Sequence, residues 1–169
     1  MNKSDIKGGE FLLKDVDCQE IFTPEDFDEE QNMIIETCKD FMETEINPNL
    51  DRIDNQEEGI MAEMIDKAGE LGLLGVSIPE KYEGFDQNFV TSMAVADYLG
   101  GGHSFSVAFS AHTGIGTLPL MYYGDHELKQ KYLPKLATGE LKAAYCLTEP
   151  NAGSDANSGK TRAVLSEDG

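Results

Sequence analysis

The chain has 169 residues, of which 40% are hydrophobic, and its 32 acidic and 13 basic residues give a formal net charge of −19 at pH 7. This apolar content suffices for the core of one ordinary domain, or of one domain and the start of another. Such an acidic chain excludes nucleic acid, or an anionic membrane, as a partner bound through a basic face.

The cysteines indicate the redox environment. Cys18, Cys38 and Cys146 are scattered and have no C-x-x-C spacing, which is typical of reduced thiols and not of a disulfide or zinc framework. The sequence also lacks a long uncharged apolar run and a signal-peptide pattern at its N-terminus. We therefore predict a cytoplasmic protein with no structural metal.

The first predicted elements are an arm and a helix. Residues 1–22 are polar and contain glycine, so we expect either a docking arm or a loosely ordered terminus. Thr23 and Pro24 then provide a hydroxyl N-cap and a proline at the first helical position, with acidic residues in the first turn. We expect this helix to end at Asn47-Pro48-Asn49. The side chains predicted to be buried recur at helical intervals: Phe27, Ile34, Cys38, Phe41 and Ile46.

A second amphipathic helix is predicted over about residues 59–71, with its C-terminus at Gly72. Residues 73–79 form an apolar run that we expect to be extended. A glycine-containing loop is predicted to follow over residues 80–86.

Three further helices are predicted before residue 140. The almost continuously apolar stretch from Asn88 to residue 99 indicates a helix buried on all sides, ending at the glycines 100–102. A second buried helix, rich in small residues, is expected from Ser104 to about Leu120. Asp125 is a plausible N-cap for a last helix that extends to about residue 137. The inward side chains predicted for it are Leu128, Tyr132 and Leu133.

The stretch from residue 143 onward has a different character. Residues 143–147 are apolar and predict a short buried strand. Pro150 ends it, and Gly153 permits a positive φ, so that successive backbone N–H groups could point into one concavity. With the hydroxyls of Thr148 and Ser154 beside it, this loop would suit a ligand with phosphates and ring carbonyls. An ordinary exit from a strand into a loop is the alternative.

The sequence as a whole predicts a mainly α fold in three parts: an N-terminal arm over residues 1–22, a helical domain over 23–140, and the incomplete start of a β-domain over 141–169. Asp168-Gly169 is typical of a hairpin turn whose second strand would follow. We therefore interpret the chain as truncated.

The ionisable residues offer little independent chemistry. His103, His112 and His126 have no metal-ligating neighbour at helical spacing, so we interpret them as structural. Glu149 and Asp155 lie on a polar loop, where no apolar pocket is evident that would raise a carboxyl pKa for acid–base catalysis.

Residues 147–155, Leu-Thr-Glu-Pro-Asn-Ala-Gly-Ser-Asp, closely resemble the signature of the acyl-CoA dehydrogenase family. Residues 71–84, Leu-Gly-Leu-Leu-Gly-Val-Ser-Ile-Pro-Glu-Lys-Tyr-Glu-Gly, resemble a second pattern of that family. The resemblance implies an N-terminal helical bundle, a middle β-domain and a C-terminal four-helix domain. It also implies transfer of a proton and a hydride from the α and β carbons of an acyl-CoA to non-covalent FAD.

The resemblance assigns roles to one segment. It implies contacts to FAD from Tyr145, Cys146, Leu147, Thr148, Gly153 and Ser154, and it places Ser154 against the acyl-CoA as well. The family's catalytic base is a carboxylate of the C-terminal domain, so no catalytic residue is assigned here. We expect this chain by itself to bind FAD weakly or not at all and to have no dehydrogenase activity.

In this family the acyl chain lies among the helices of the first domain. Ala108, Ala111 and Gly114 follow each other at three-residue spacing and give one small-residue face. Two interpretations stay open: a deep tunnel in which Ala108 and Ala111 contact a long acyl chain in fatty-acid β-oxidation, or close helix packing.

The resemblance further implies an electron-transfer flavoprotein as electron acceptor and a homodimer or homotetramer. The alternatives are an acyl-CoA oxidase, another flavoenzyme on the same fold, or a non-catalytic interaction module.

Overall fold

A computed structural model describes residues 8–167 and confirms the mainly α prediction. The α-helices of the described residues are α1 (Glu29–Phe41), α2 (Leu50–Asp54), α3 (Ile60–Glu70), α4 (Phe89–Leu99), α5 (Ser104–Ser110), α6 (Leu118–Tyr123) and α7 (His126–Ala137). Between residues 8 and 167 there is no β-strand, only an isolated antiparallel bridge that joins Glu149 and Ala152. The predicted Asp168-Gly169 turn and the first seven residues of the arm lie outside the described residues.

The long first helix was predicted with the wrong ends. Thr23 and Pro24 start only a 3₁₀ turn, Pro24–Asp26. The helix α1 begins five residues later at a capping box, in which the Gln31 N–H donates to Asp28 Oδ1 (2.8 Å) and the Asp28 N–H donates to Gln31 Oε1 (3.1 Å). This second, reciprocal cap satisfies two backbone donors and sets the start of α1.

The helical path also continues beyond the predicted stop. A π-helical turn (Met42–Ile46) and a 3₁₀ turn (Asn47–Asn49) lead directly into α2. Pro48 lies in the first part of a new turn, where a missing N–H removes no intrahelical hydrogen bond. The helical path therefore continues through Pro48 into α2.

The helix α3 and its end agree with the prediction, because Gly72 adopts φ +76° directly after it. The apolar run over residues 73–79 is not extended. Its first residues form the 3₁₀ turn Leu73–Gly75. The Gly75 N–H donates to Gly72 O (3.0 Å), and the Ile78 N–H donates to Gly75 O (3.1 Å). These local bonds satisfy the buried backbone without a partner strand.

Two apolar clusters hold the helices together. The main cluster joins α1, α2, α3, α4 and α5 through fully buried side chains that include Phe41, Ile46, Ile53, Met64, Leu99 and Phe105. Within it α1 packs on α4, and α3 packs on α5. In a smaller cluster, Leu133, Leu136 and Ala137 of α7 pack with Ile78 and Tyr82. Ala143 packs against this smaller cluster, so the chain leaves the helical body from α7.

Several burial predictions were wrong. The helix α4 buries Ala94, Val95 and Leu99 but exposes another face, on which Phe89 is 74% exposed. In α7, Leu133 is buried as predicted, whereas Leu128 is 43% exposed. Apolar composition thus overstated burial, because a surface helix needs only one face in the core.

The predicted helix from Ser104 to about Leu120 is interrupted. It consists of α5, a π-helical turn (Ala111–Gly116) and α6. Thr117 Oγ1 donates to the carbonyl of His112 at 2.6 Å, across the π-helical turn. Each π turn inserts one residue relative to an α-helical register, so side chains beyond Ser110 face other directions than a continuous helix predicts.

The predicted strand over residues 143–147 was also wrong for this chain. The stretch has no regular secondary structure and is mostly exposed, and no partner strand lies within residues 8–167. A single strand cannot satisfy its own backbone groups. Of the cysteines, Cys38 is buried, Cys18 and Cys146 are exposed, and all three are free thiols. Among the described residues no helix is both long and apolar enough to cross a membrane.

Candidate functional site

A cavity of about 390 Å³ lies between α4, α5 and α6 and the turn that follows Leu73. Its apolar lining includes Leu74, Met93, Val95, Phe109, Leu118 and Met121. The polar side chains at its wall include Gln87, Ser92, Ser110 and Thr113. This volume is in the range of small-molecule sites, which are mainly apolar with a few polar groups.

Most of these polar side chains are already engaged. Thr113 Oγ1 donates to Phe109 O (2.9 Å), and Ser92 Oγ donates to Asn88 O (3.4 Å). Gln87 Oε1 accepts a hydrogen bond from Thr91 Oγ1 at 3.3 Å. Because these groups are satisfied within their own segments, the cavity presents a largely apolar lining to a ligand.

The small-residue face was predicted on a continuous helix, and the π-helical turn changes where its members lie. Gly114 lines the cavity together with Phe109, Ser110 and Thr113. A Cβ at Gly114 would meet no atom within 4 Å, so this glycine leaves open volume. Ala108 packs against the main core cluster, and neither it nor Ala111 is among the residues that line this cavity. Their contact with an acyl chain stays a prediction.

The segment predicted to bind the cofactor lies at the surface. Tyr145 and Leu147 are 52% and 46% exposed, and Cys146 and Thr148 are exposed as well. Within the described chain, the backbone N–H groups of residues 144–148 donate no hydrogen bond. The segment therefore presents apolar side chains and free backbone donors together.

The loop after this segment is shaped differently from the prediction. Glu149 and Ala152 exchange two backbone hydrogen bonds of 3.0 and 3.1 Å. Gly153 does not have a positive φ, so the predicted concavity is not formed through it. Ser154 is exposed, and a Cβ at Gly153 would meet nothing within 4 Å. The loop leaves both positions open to a ligand.

The side chain of Glu149 connects the two ends of the loop over residues 149–161. Its carboxylate accepts hydrogen bonds from the backbone N–H groups of Lys160 (2.7 Å) and Thr161 (3.1 Å) and from the Thr161 hydroxyl. These donors, that of Lys160 first, hold the pKa of Glu149 below its ordinary value. Asp155 accepts a hydrogen bond from Ser158 Oγ. The two carboxylates thus do not form an acid–base pair, and the sequence carried no signal for the Glu149 contacts.

His112 is hydrogen-bonded to the residue at which the exposed segment begins. Its ring is buried, and in the chain it directly precedes the cavity residues Thr113 and Gly114. Nε2 lies 2.9 Å from Leu136 O, and the Ala143 N–H donates to Nδ1 at 3.0 Å. A carbonyl only accepts, so Nε2 carries a proton. Because Nδ1 accepts the Ala143 N–H, it carries none, and the ring is therefore neutral. Burial, the larger influence, and Lys142 lower the pKa of His112, against the bond to Leu136 O, which raises it.

The other two histidines are exposed, and each has one side-chain partner. His103 Nδ1 lies 3.1 Å from Asp54 Oδ2, and His126 Nδ1 lies 3.2 Å from the Tyr82 hydroxyl. No group of three or more His, Cys, Asp or Glu side chains in the described part of the chain could hold a metal ion. The sequence had given no indication of the contact from His112 to Ala143, because 31 residues separate them.

Comparison with known proteins gives consistent matches. Residues 28–140 match the model of the N-terminal domain of acyl-CoA dehydrogenases. A probable acyl-CoA dehydrogenase of Bacillus subtilis is 46% identical over 163 residues, which are 96% of this chain and 27% of that relative. The crystal structure of an acyl-CoA dehydrogenase complexed with FAD from Bacillus anthracis superposes with a TM-score of 0.83 at 44% identity, over 92% of this chain and 26% of that one.

A short-chain-specific acyl-CoA dehydrogenase of Clostridium acetobutylicum is 35% identical over 140 residues, which are 82% of this chain and 37% of the relative. The chain therefore spans between about a quarter and just over a third of the length of these relatives. Their names do not support a long-chain subtype.

Proposed function

Because the chain belongs to the acyl-CoA dehydrogenase family through its N-terminal domain, we propose that it forms the acyl-binding part and one wall of the flavin site of a longer, FAD-dependent enzyme. The enzyme would oxidise the α,β C–C bond of a fatty acyl-CoA to a trans-2-enoyl-CoA. The observation that supports this most is the apolar cavity, together with an exposed segment whose backbone N–H groups donate no hydrogen bond within the described chain.

The residues of the exposed segment fit FAD on one side. Tyr145 and Leu147 offer apolar surface, and Thr148 and Ser154 have accessible hydroxyls. We propose that these residues, with Cys146 and Gly153, hold the flavin. FAD, when bound, supplies the acceptor for the hydride. Backbone and hydroxyl donors near a flavin ring stabilise the negative charge that builds up on reduction.

The cavity suits the acyl chain of the substrate. Its walls are apolar, and each methylene removed from water contributes about 0.8 kcal/mol. The open volume at Gly114 favours a chain of some length. We therefore also propose that the enzyme prefers long acyl chains and acts in fatty-acid β-oxidation. Rates of the full-length enzyme on acyl-CoAs from four to eighteen carbons test the preference. A maximum at the longer chains is expected, whereas a maximum at four carbons would contradict it.

The proton must be removed by a group that this segment does not supply. Glu149 and Asp155 are engaged in hydrogen bonds within their own loop. We propose that the base comes from another part of the enzyme, in keeping with the family. An electron-transfer flavoprotein as acceptor, a homo-oligomeric state and a cytoplasmic location complete the proposal.

The 169-residue chain by itself is expected to bind FAD weakly or not at all. Titration of the 169-residue chain with FAD, followed by flavin fluorescence, is expected to show no tight, saturable binding, because only one side of the site is present. A dissociation constant in the low micromolar range or below would show that these residues suffice for the cofactor.

A further inference from the structure

We propose that His112, together with Gly116, is a positioning residue for the flavin site: the two fix the point at which residues 144–148 leave the helical body. The inference rests on the proposed function, since it concerns where the proposed flavin segment lies relative to the acyl cavity. Two observations support it: the buried ring of His112 forms a hydrogen bond at each of its two nitrogens, and the backbone of Gly116 lies close to Ala143.

The hydrogen bonds of His112 connect two separate parts of the chain. Leu136 belongs to the last turn of α7, and its carbonyl also accepts the Gly139 N–H at 3.3 Å. The ring donates to this carbonyl from Nε2 and accepts the Ala143 N–H at Nδ1. The imidazole is thus a rigid spacer between the end of α7 and Ala143.

Ala143 is the last residue whose backbone is held before the exposed segment. Upstream, the Leu141 N–H donates to Lys135 O (3.0 Å), and Lys142 Nζ donates to Gly139 O (3.1 Å) and pairs with Asp66. Downstream, the next described backbone hydrogen bond is that of Glu149. The direction of residues 144–148 is therefore set at Ala143.

Gly116 allows Ala143 to come this close. A Cβ at Gly116 would lie 2.5 Å from Ala143 Cβ, which is shorter than real contacts, and 3.0 Å from its carbonyl carbon, which is tighter than most. Gly116 ends the same π-helical turn that contains His112. One turn thus provides the hydrogen bond to Ala143 and the space beside it.

The same turn also forms part of the acyl cavity, through Thr113 and Gly114. One structural element therefore contributes both to the acyl cavity and to the position of Ala143, where the flavin segment begins. A dehydrogenase needs the distance between the acyl cavity and the flavin segment to be accurate, because reacting atoms must be held within a few tenths of an ångström of their productive geometry.

Two conservative substitutions in the full-length enzyme separate the two hydrogen bonds. In His112→Asn the side-chain oxygen lies near the Nδ1 position and still accepts the Ala143 N–H, but the donor to Leu136 O is lost. In His112→Gln the side-chain NH₂ lies near the Nε2 position and still donates to Leu136 O, but the acceptor for Ala143 is lost.

The expected result is a difference between these variants. With His112→Gln, the dissociation constant for FAD rises about tenfold and the flavin absorption bands shift, since one positioning hydrogen bond is lost. Hydrogen exchange of the Ala143 amide becomes faster in the same variant. With His112→Asn, FAD affinity, flavin spectrum and Ala143 exchange stay close to those of the wild-type enzyme.

Gly116→Ala tests the geometry with His112 intact. Its added methyl group displaces Ala143, so we expect the same loss of FAD affinity as in His112→Gln. Gly100→Ala is the matched control, because Gly100 has helical φ/ψ and a Cβ there would meet nothing within 4 Å. It is expected to bind FAD as the wild type does. If His112→Gln fails to fold, the comparison of Gly116→Ala with Gly100→Ala still tests the inference.

Three outcomes would overturn the inference. The first is wild-type FAD affinity in both His112→Gln and Gly116→Ala. The second is an equal loss in His112→Asn and His112→Gln, which a purely structural role predicts. The third is a wild-type enzyme that contains no flavin, which overturns the proposed function as well. A flavin-loaded wild type with unaffected variants refutes the positioning role alone.

Discussion

The helical body, up to residue 140, and the segment over residues 141–167 differ in how their polar and apolar groups are satisfied. In the body, side chains such as Phe105 are fully buried, and most backbone groups bond within helices and turns. In the segment, apolar side chains such as Leu147 are exposed and several N–H groups have no acceptor within the described chain. Both clusters of buried apolar side chains therefore belong to the body, and the described part of the segment has no core of its own.

The largest effect is expected for Phe105→Ala in the body. Phe105 is fully buried and contacts the ring of Phe41 edge-on, with centroids 5.6 Å apart. Its truncation leaves a cavity, and we expect a loss of about 3–5 kcal/mol in the free energy of unfolding. Leu147→Ala is the matched change in the segment and should cost little. Urea denaturation measures both, and equal losses would contradict the distinction between the two regions.

A smaller effect is expected where glycines allow close approach. A Cβ at Gly69 would lie 2.2 Å from Thr138 O, whereas one at Gly153 would meet nothing. We expect Gly69→Ala to destabilise the chain by about 1–3 kcal/mol through overpacking between α3 and the end of α7. Gly153→Ala should leave the denaturation midpoint unchanged. A midpoint that moves equally in both variants would show that the segment is packed as tightly as the body.

His112 connects the body to the segment, and its contribution to the free energy of unfolding should depend on pH. The folded state lowers the pKa of His112 below its ordinary 6.5, so the unfolded chain takes up a proton more readily. This contribution to stability is fully present above about pH 6.5 and is lost as the pH falls from there toward the folded-state pKa. A wild-type chain should therefore lose more stability than His112→Asn between pH 7.5 and 5. Parallel losses in thermal melts at these pH values would exclude His112 as the cause.

The smallest effect on stability is expected for Glu149→Gln. The carboxylate organises its own exposed loop and contacts Lys160 and Thr161. We expect faster hydrogen exchange at those two amides and an unchanged melting temperature. A clear drop in melting temperature would mean that this loop supports the helical body.

The sequence allowed the prediction of those features that depend on local chemistry. Asp125 caps α7 as expected, with its carboxylate accepting the Leu128 N–H at 2.8 Å. Gly72 adopts the positive φ that a helix end favours. The nine-residue signature beginning at Leu147 identified the family, which the match over residues 28–140 confirms.

Other features depend on contacts that a sequence does not display. The π-helical turn Ala111–Gly116 leaves no simple period in the apolar pattern, so only Gly114 of the predicted small-residue face lines the cavity, beside Thr113. A strand over residues 143–147 requires a partner that residues 8–167 do not supply. The bond from His112 to Ala143 arises only when α7 folds back against the π-helical turn.

The most direct test of the account is an anaerobic titration of the full-length enzyme with acyl-CoA, followed by visible absorbance. The account predicts a yellow protein whose flavin band is bleached on substrate addition as the hydride is transferred. A colourless protein that gains no flavin spectrum when FAD is added, or a flavin band that no acyl-CoA changes, would contradict it.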